Sequence, residues 1–236
     1  MVKKFSRALV LLVTMPLAAV AAQFEEGKHY VKLPESVPTV DPAKIEVAEL
    51  FWYGCPHCYK LEPLVKPWSA KLPDDVEFVK IPATFGGLWN KHAQLFYAIE
   101  ALKLDDKAHD AVFAAFHTNN NKLDTPEKMA KLLAKLGVEE EKFMKQYKSF
   151  GVANQLRLAS SKGRGYRATG VPAIIINGKY RTGAAMAGGE QKMLEVAEYL
   201  VEQERKLTST ASQSGTEQQE STESVKEKRT ESAAAE

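Results

Sequence analysis

The chain has 236 residues, a formal net charge of +2, and acidic and basic residues interspersed along its length. That balance leaves no stripe of positive charge suited to a nucleic-acid backbone. Two cysteines, Cys55 and Cys58, allow at most one internal bridge.

The chain opens with Lys3, Lys4 and Arg7, then runs uncharged from Ala8 to Ala22 and is rich in Leu, Val and Ala. Small residues at Ala19, Ala21 and Ala22 suit a cleavage site, so residues 1–22 read as a secretory signal peptide. The apolar run falls short of the about 20 residues that span a bilayer, which favours a soluble exported protein over a retained anchor. Residues 207–236 are Ser, Thr, Glu, Gln, Lys and Ala, too polar to repay the entropy of ordering, and are expected to be a disordered tail. Residues 23–206 then make one domain with no internal repeat.

Within it, Ile45 to Tyr53 is dense in β-branched and aromatic residues and predicts a buried strand. Gly54 turns the chain. A helix is expected from Cys55, with Pro56 in the first turn where a missing N–H costs nothing. Pro63 and Pro67 predict a kink or break between Leu61 and Trp68. Val76 to Ile81 is the next strand. Helical spacing follows in Ala93 to Leu102, and around Val112, Phe113 and Phe116. Thr125-Pro126-Glu127 is a helix opening, with Met129, Leu132, Leu133 and Leu136 on one face and Gly137 as the stop. Val138 to Tyr147 and Leu156 to Ala168 are also expected to be helical. Lys162, Arg164 and Arg167 near its end read as a solvated helix terminus. Ile174 to Ile176 and Lys179 to Arg181 flank Asn177-Gly178, the strongest short hairpin signal. A last amphipathic helix is expected over 190–204. The order βαβ, helical block, ββα predicts an α/β sheet covered on both faces.

The stretch Phe-Trp-Tyr-Gly-Cys-Pro-His-Cys-Tyr, residues 51–59, carries the chemistry. A bridge across two residues closes a tiny loop and removes little unfolded-state entropy, so Cys55–Cys58 is a poor staple. Zinc would need two further ligands, and no histidine stands at ligand spacing to the pair. Redox chemistry has a physical basis. A thiolate at a helix N-terminus meets unpaired N–H groups and the positive end of the peptide dipoles. Cys55 has that place and is expected to attack, while Cys58, one turn further in, resolves the mixed disulfide. His57 adds a ring able to favour the Cys55 thiolate.

With its Cys55-Pro56-His57-Cys58 centre, this stretch resembles the active site of the DsbA family of periplasmic thiol:disulfide oxidoreductases. The likeness spans about Ala22 to Arg205 and includes Gln23 to Tyr30, similar to the family's mature start. It implies a thioredoxin-like sheet with a helical insertion at about 88–168, in a protein that donates its disulfide to exported proteins. It also implies that Val171-Pro172 forms a loop with a cis proline beside the cysteines. Glu49 and Lys80 are carried over as charged residues beneath the active site that modulate proton handling. A membrane oxidase of the DsbB type is the implied reoxidising partner, and a monomer without cofactor or metal the implied state. A disulfide isomerase or reductase, and a periplasmic chaperone using the helical block, are the competing functions.

Overall fold

A computed structural model of the chain describes residues 24–208, so the expected signal peptide and nearly all of the expected tail lie outside the described residues. Five strands form one sheet in the order β1-β5-β4-β2-β3. They are β1 (Val31–Lys32), β2 (Ile45–Phe51), β3 (Val76–Pro82), β4 (Ala173–Ile176) and β5 (Tyr180–Gly183). β2 runs parallel to β3 and antiparallel to β4, and β4 and β5 make the hairpin. Asn177 and Gly178 both have positive φ, 49° and 61°, at the centre of a turn that the Lys179 N–H closes on the Ile176 carbonyl, within a three-residue connection between the paired Ile176 and Tyr180.

Helix α1 (Pro56–Ser69) links β2 to β3. The helical block between β3 and β4 consists of α2 (Gly87–Ala101), α3 (Asp106–His117), α4 (Pro126–Ala134), α5 (Glu140–Tyr147) and α6 (Phe150–Gly165). After β5 come a single turn, α7 (Ala184–Ala187), and a final helix α8 over residues 190–208. This is the expected mixed α/β fold: a thioredoxin-like sheet interrupted by helices.

Alternation along β2 sorts the core. Ile45 and Val47 pack on one face with Leu61 and Val65 of α1 and with Met193, Leu194 and Leu200 of α8. Ala48 and Leu50 face the other way, toward Ile81, Ala159 of α6 and Tyr166. The insertion has its own core of Phe96, Ile99, Phe113, Met129, Leu133 and Phe143, which continues into Phe51, Tyr53 and both cysteines. The active-site loop is thus one wall of the helical domain's core.

Three expectations are corrected. Of the kink or break expected in α1, the break is absent: one helix runs from Pro56 to Ser69 through Pro63 and Pro67, which lie four residues apart and are both exposed. The buried residues Cys58, Leu61 and Val65 hold the helix on the core, which offsets the cost of the two missing N–H groups. Leu136 does not join the inward face of α4, because the helix ends at Ala134 and the chain turns at Gly137, leaving Leu136 exposed. Lys162 is not solvated like its neighbour Arg164. It is half-buried against Glu46, with 3.2 Å to each carboxylate oxygen.

Candidate active site

β2 delivers the chain into the site, and α1 begins there. Trp52 O accepts the N–H of Cys55 at 2.9 Å, closing the turn between strand and helix. Gly54 lies inside that turn, where any Cβ would collide with the Trp52 indole. Cys55 is the N-cap of α1 and Pro56 its first residue. The Cys55 sulfur accepts the backbone N–H of Cys58 at 3.3 Å, in the way a serine or aspartate caps a helix.

The two sulfurs are free thiols and are not equivalent. Cys55 keeps 8 % of its surface exposed and Cys58 none. The Cys55 thiol is lowered to about 6 from 9.0, first by a hydrogen bond from the Cys58 thiol. The N–H groups of Cys58 and His57 and the His57 charge add to this, against the opposing effect of burial. Burial pushes the Cys58 thiol far up. One sulfur is therefore a thiolate at neutral pH while its neighbour holds a proton.

The Val171–Pro172 peptide bond is cis, and the Val171 carbonyl lies 3.4 Å from the Cys55 sulfur. A groove of about 320 Å³ runs beside this loop, lined by His57, Gly170, Val171, Pro172, Thr182 and Met186 among others. His57 is exposed, and its Nδ1 lies 3.1 Å from a carboxylate oxygen of Glu190 at the start of α8. Among the described residues, no group of three or more His, Cys, Asp or Glu side chains is placed to hold a metal ion.

Glu49 and Lys80 are register partners on β2 and β3, on the sheet face that α1 covers. Lys80 Nζ lies 3.7 Å from Glu49 and makes a closer ion pair with Glu62 of α1. Neither Glu49 oxygen has a hydrogen-bond partner. Complete burial raises the Glu49 carboxyl to about 7, outweighing the attraction of Lys80. Lys80 is itself raised, because two carboxylates together overcome its own desolvation.

A family model described as the DSBA-like thioredoxin domain matches residues 46–201. The chain belongs to the DsbA family. It is 50% identical over 189 residues to the thiol:disulfide interchange protein DsbA of Pseudomonas aeruginosa, covering 80% of this chain and 90% of that protein. It is also 50% identical over 184 residues to DsbA of Azotobacter vinelandii, covering 78% and 86%. The crystal structure of Pseudomonas aeruginosa DsbA matches with a TM-score of 0.77 and 49% identity, over 79% of this chain and 97% of that one. That of the oxidoreductase DsbA from Xylella fastidiosa matches at 0.72 and 30% identity, over 77% and 97%.

Within this DsbA-family chain, His57, Val171 and Pro172 line the groove, Cys55 lies against the Val171 carbonyl next to Pro56, and Cys58 is fully buried, with Glu49 close enough for its charge to act on Cys58 and Lys80 paired with Glu49. Glu62 and Glu190 escaped the sequence reading. Glu62 left a trace, a charge on the stripe otherwise formed by Cys58, Leu61 and Val65. Glu190 left none, since 133 residues separate it from His57. The aromatic neighbours divide. Tyr53 and Phe96 are core, whereas half-buried Trp52 stacks on Trp89 at 3.9 Å, with exposed Phe85 beyond.

Proposed function

We infer that this protein is a periplasmic dithiol oxidase that passes its Cys55–Cys58 disulfide to exported proteins through a mixed disulfide. A client thiolate attacks the Cys55 sulfur; the Cys55–Cys58 bond breaks and its electron pair leaves on Cys58. Cys58, whose burial favours the neutral thiol, takes up a proton. A second client thiolate then attacks the client sulfur of the mixed disulfide, and Cys55 departs as a thiolate. The client is oxidised by two electrons and the dithiol is left reduced. Cys55 is a good leaving group because its thiolate is already stabilised in the folded protein.

The inequality of the two sulfurs carries this reading. Whatever stabilises the dithiol makes the disulfide a stronger oxidant, and the hydrogen bonds to Cys55 exist for its thiolate. Pro172, without an N–H, and the Val171 backbone form the wall on which an extended client segment would lie, with Glu49 and Lys80 as proton modulators behind Cys58. Reoxidation is assigned to a DsbB-type membrane oxidase. A working monomer is part of the same reading.

The test is the equilibrium of the mature protein with reduced and oxidised glutathione. The dithiol form is expected to persist at glutathione ratios that fully oxidise thioredoxin. A potential as reducing as thioredoxin's would assign a reductase instead.

A further inference from the structure

Helix α3 belongs to the insertion, yet it holds the loop that carries Cys55. His117, its last residue, donates from Nε2 to the carbonyl oxygen of Tyr53 at 2.7 Å. The same ring lies flat on Tyr59, with centroids 4.7 Å apart and an interplanar angle of 8°. Tyr53 stands two residues before Cys55, and Tyr59 directly follows Cys58. One imidazole therefore bridges both flanks of the dithiol.

Tyr53 is gripped at its other end as well. Its phenol is hydrogen-bonded to Nδ1 of His109, and Nε2 of His109 donates to Glu100 at 3.0 Å. Its ring meets Phe51 and Phe113 edge to face. A buried backbone carbonyl needs a donor, and at Tyr53 that donor is a side chain from α3, which ties the peptide to the insertion. Fixing that carbonyl fixes the peptide leading through Gly54 to Cys55, and so the placement of the sulfur over the first N–H groups of α1.

We propose that His117 is a positioning residue for the dithiol: its hydrogen bond to Tyr53 O sets the turn that aims the Cys55 sulfur at the start of α1. The proposal rests on the dithiol-oxidase reading and adds a control point to it, located in the inserted helices. Loss of the bond lets the turn relax and weakens the Cys58 and His57 N–H contacts that stabilise the thiolate. The dithiol then becomes less stable relative to the disulfide.

Two substitutions in the mature protein separate the ring from the donor. His117→Phe keeps a ring on Tyr59 and loses the N–H; His117→Gln places an amide nitrogen where Nε2 was. The Phe variant should shift the glutathione equilibrium about tenfold toward the disulfide and raise the Cys55 titration midpoint, one pKa unit being a factor of ten. The Gln variant should stay within about threefold of the parent on the same scale. Leu133→Ala, in the insertion's core, should lower the melting midpoint and leave both redox readouts in place. Should the Phe variant fail to fold, His117→Asn replaces it, since the shorter amide does not reach Tyr53 O and should behave as Phe would. The proposal is overturned if Phe or Asn matches the parent, if Gln shifts as much as they do, or if Leu133→Ala moves the equilibrium equally. An ordinary thiol midpoint for Cys55 in the parent would instead remove the oxidase reading, a result distinct from all of these.

Discussion

Strand β2 carries two buried glutamates three residues apart, Glu46 and Glu49, facing opposite sides of the sheet, and they could hardly be treated more differently. Glu46 is saturated: Lys162 reaches both oxygens at 3.2 Å and the Val40 N–H donates to one of them at 2.6 Å. Glu49 has a cation at 3.7 Å, no hydrogen bond and a carboxyl raised to about 7. A buried charge that serves the fold is given its full set of partners. One left short of partners is held near its titration point at neutral pH, and Glu49 lies on the dithiol side, where Cys55 and Cys58 register its charge.

The sharpest way to break this contrast is Glu46→Ala. It strands half-buried Lys162 and the Val40 N–H, and should cost about 3 kcal/mol or more in urea unfolding. The glutathione equilibrium should not move. A redox shift comparable to the stability loss would erase the distinction between the two residues.

Glu49 should show itself through pH. Its folded carboxyl titrates above the ordinary glutamate value of 4.5, so between about 4.5 and 7 the folded state binds the extra proton. Stability from this group is present at low pH and is lost as pH rises through that window, by about 3 kcal/mol in total. Glu49→Gln should flatten the slope in unfolding measured from pH 4.5 to 7.5. The same variant should slow disulfide transfer by about tenfold or more if Glu49 has the proposed proton-handling role, and stopped-flow mixing with a dithiol peptide would show it. An unchanged rate would leave Glu49 a mere packing oddity.

The smallest effect is expected at Glu190, whose link to His57 is largely solvent-exposed. The His57 ring holds this carboxyl below the usual range, so the contact stabilises at neutral pH and fades as pH falls through the lowered value. Glu190→Gln should change stability by less than about 1 kcal/mol, as differential scanning calorimetry would show.

The scaffold was largely legible in the chain because its signals are local. Asn177-Gly178 specifies its own turn, and Cys55-Pro56 its own helix start. The prolines of α1 misled because the packing of Cys58, Leu61 and Val65 against the core offsets their local cost, and that packing is not visible at Pro63 or Pro67 in isolation. The contrast between Glu46 and Glu49 was hidden for the same reason. Their partners come from α6, β3 and α1, and from a strand alone both look like charges in an apolar run. His117 and Glu190 are further from reach, each meeting the site across more than fifty residues.

Disulfide donation requires that the folded protein stabilise the Cys55 thiolate. Thiolate ultraviolet absorbance of the reduced mature protein, followed against pH with a Cys55→Ser control, measures it directly. A midpoint near 6 that vanishes in the control is the predicted result. Titration of Cys55 near 9, the value of an ordinary thiol, would contradict it.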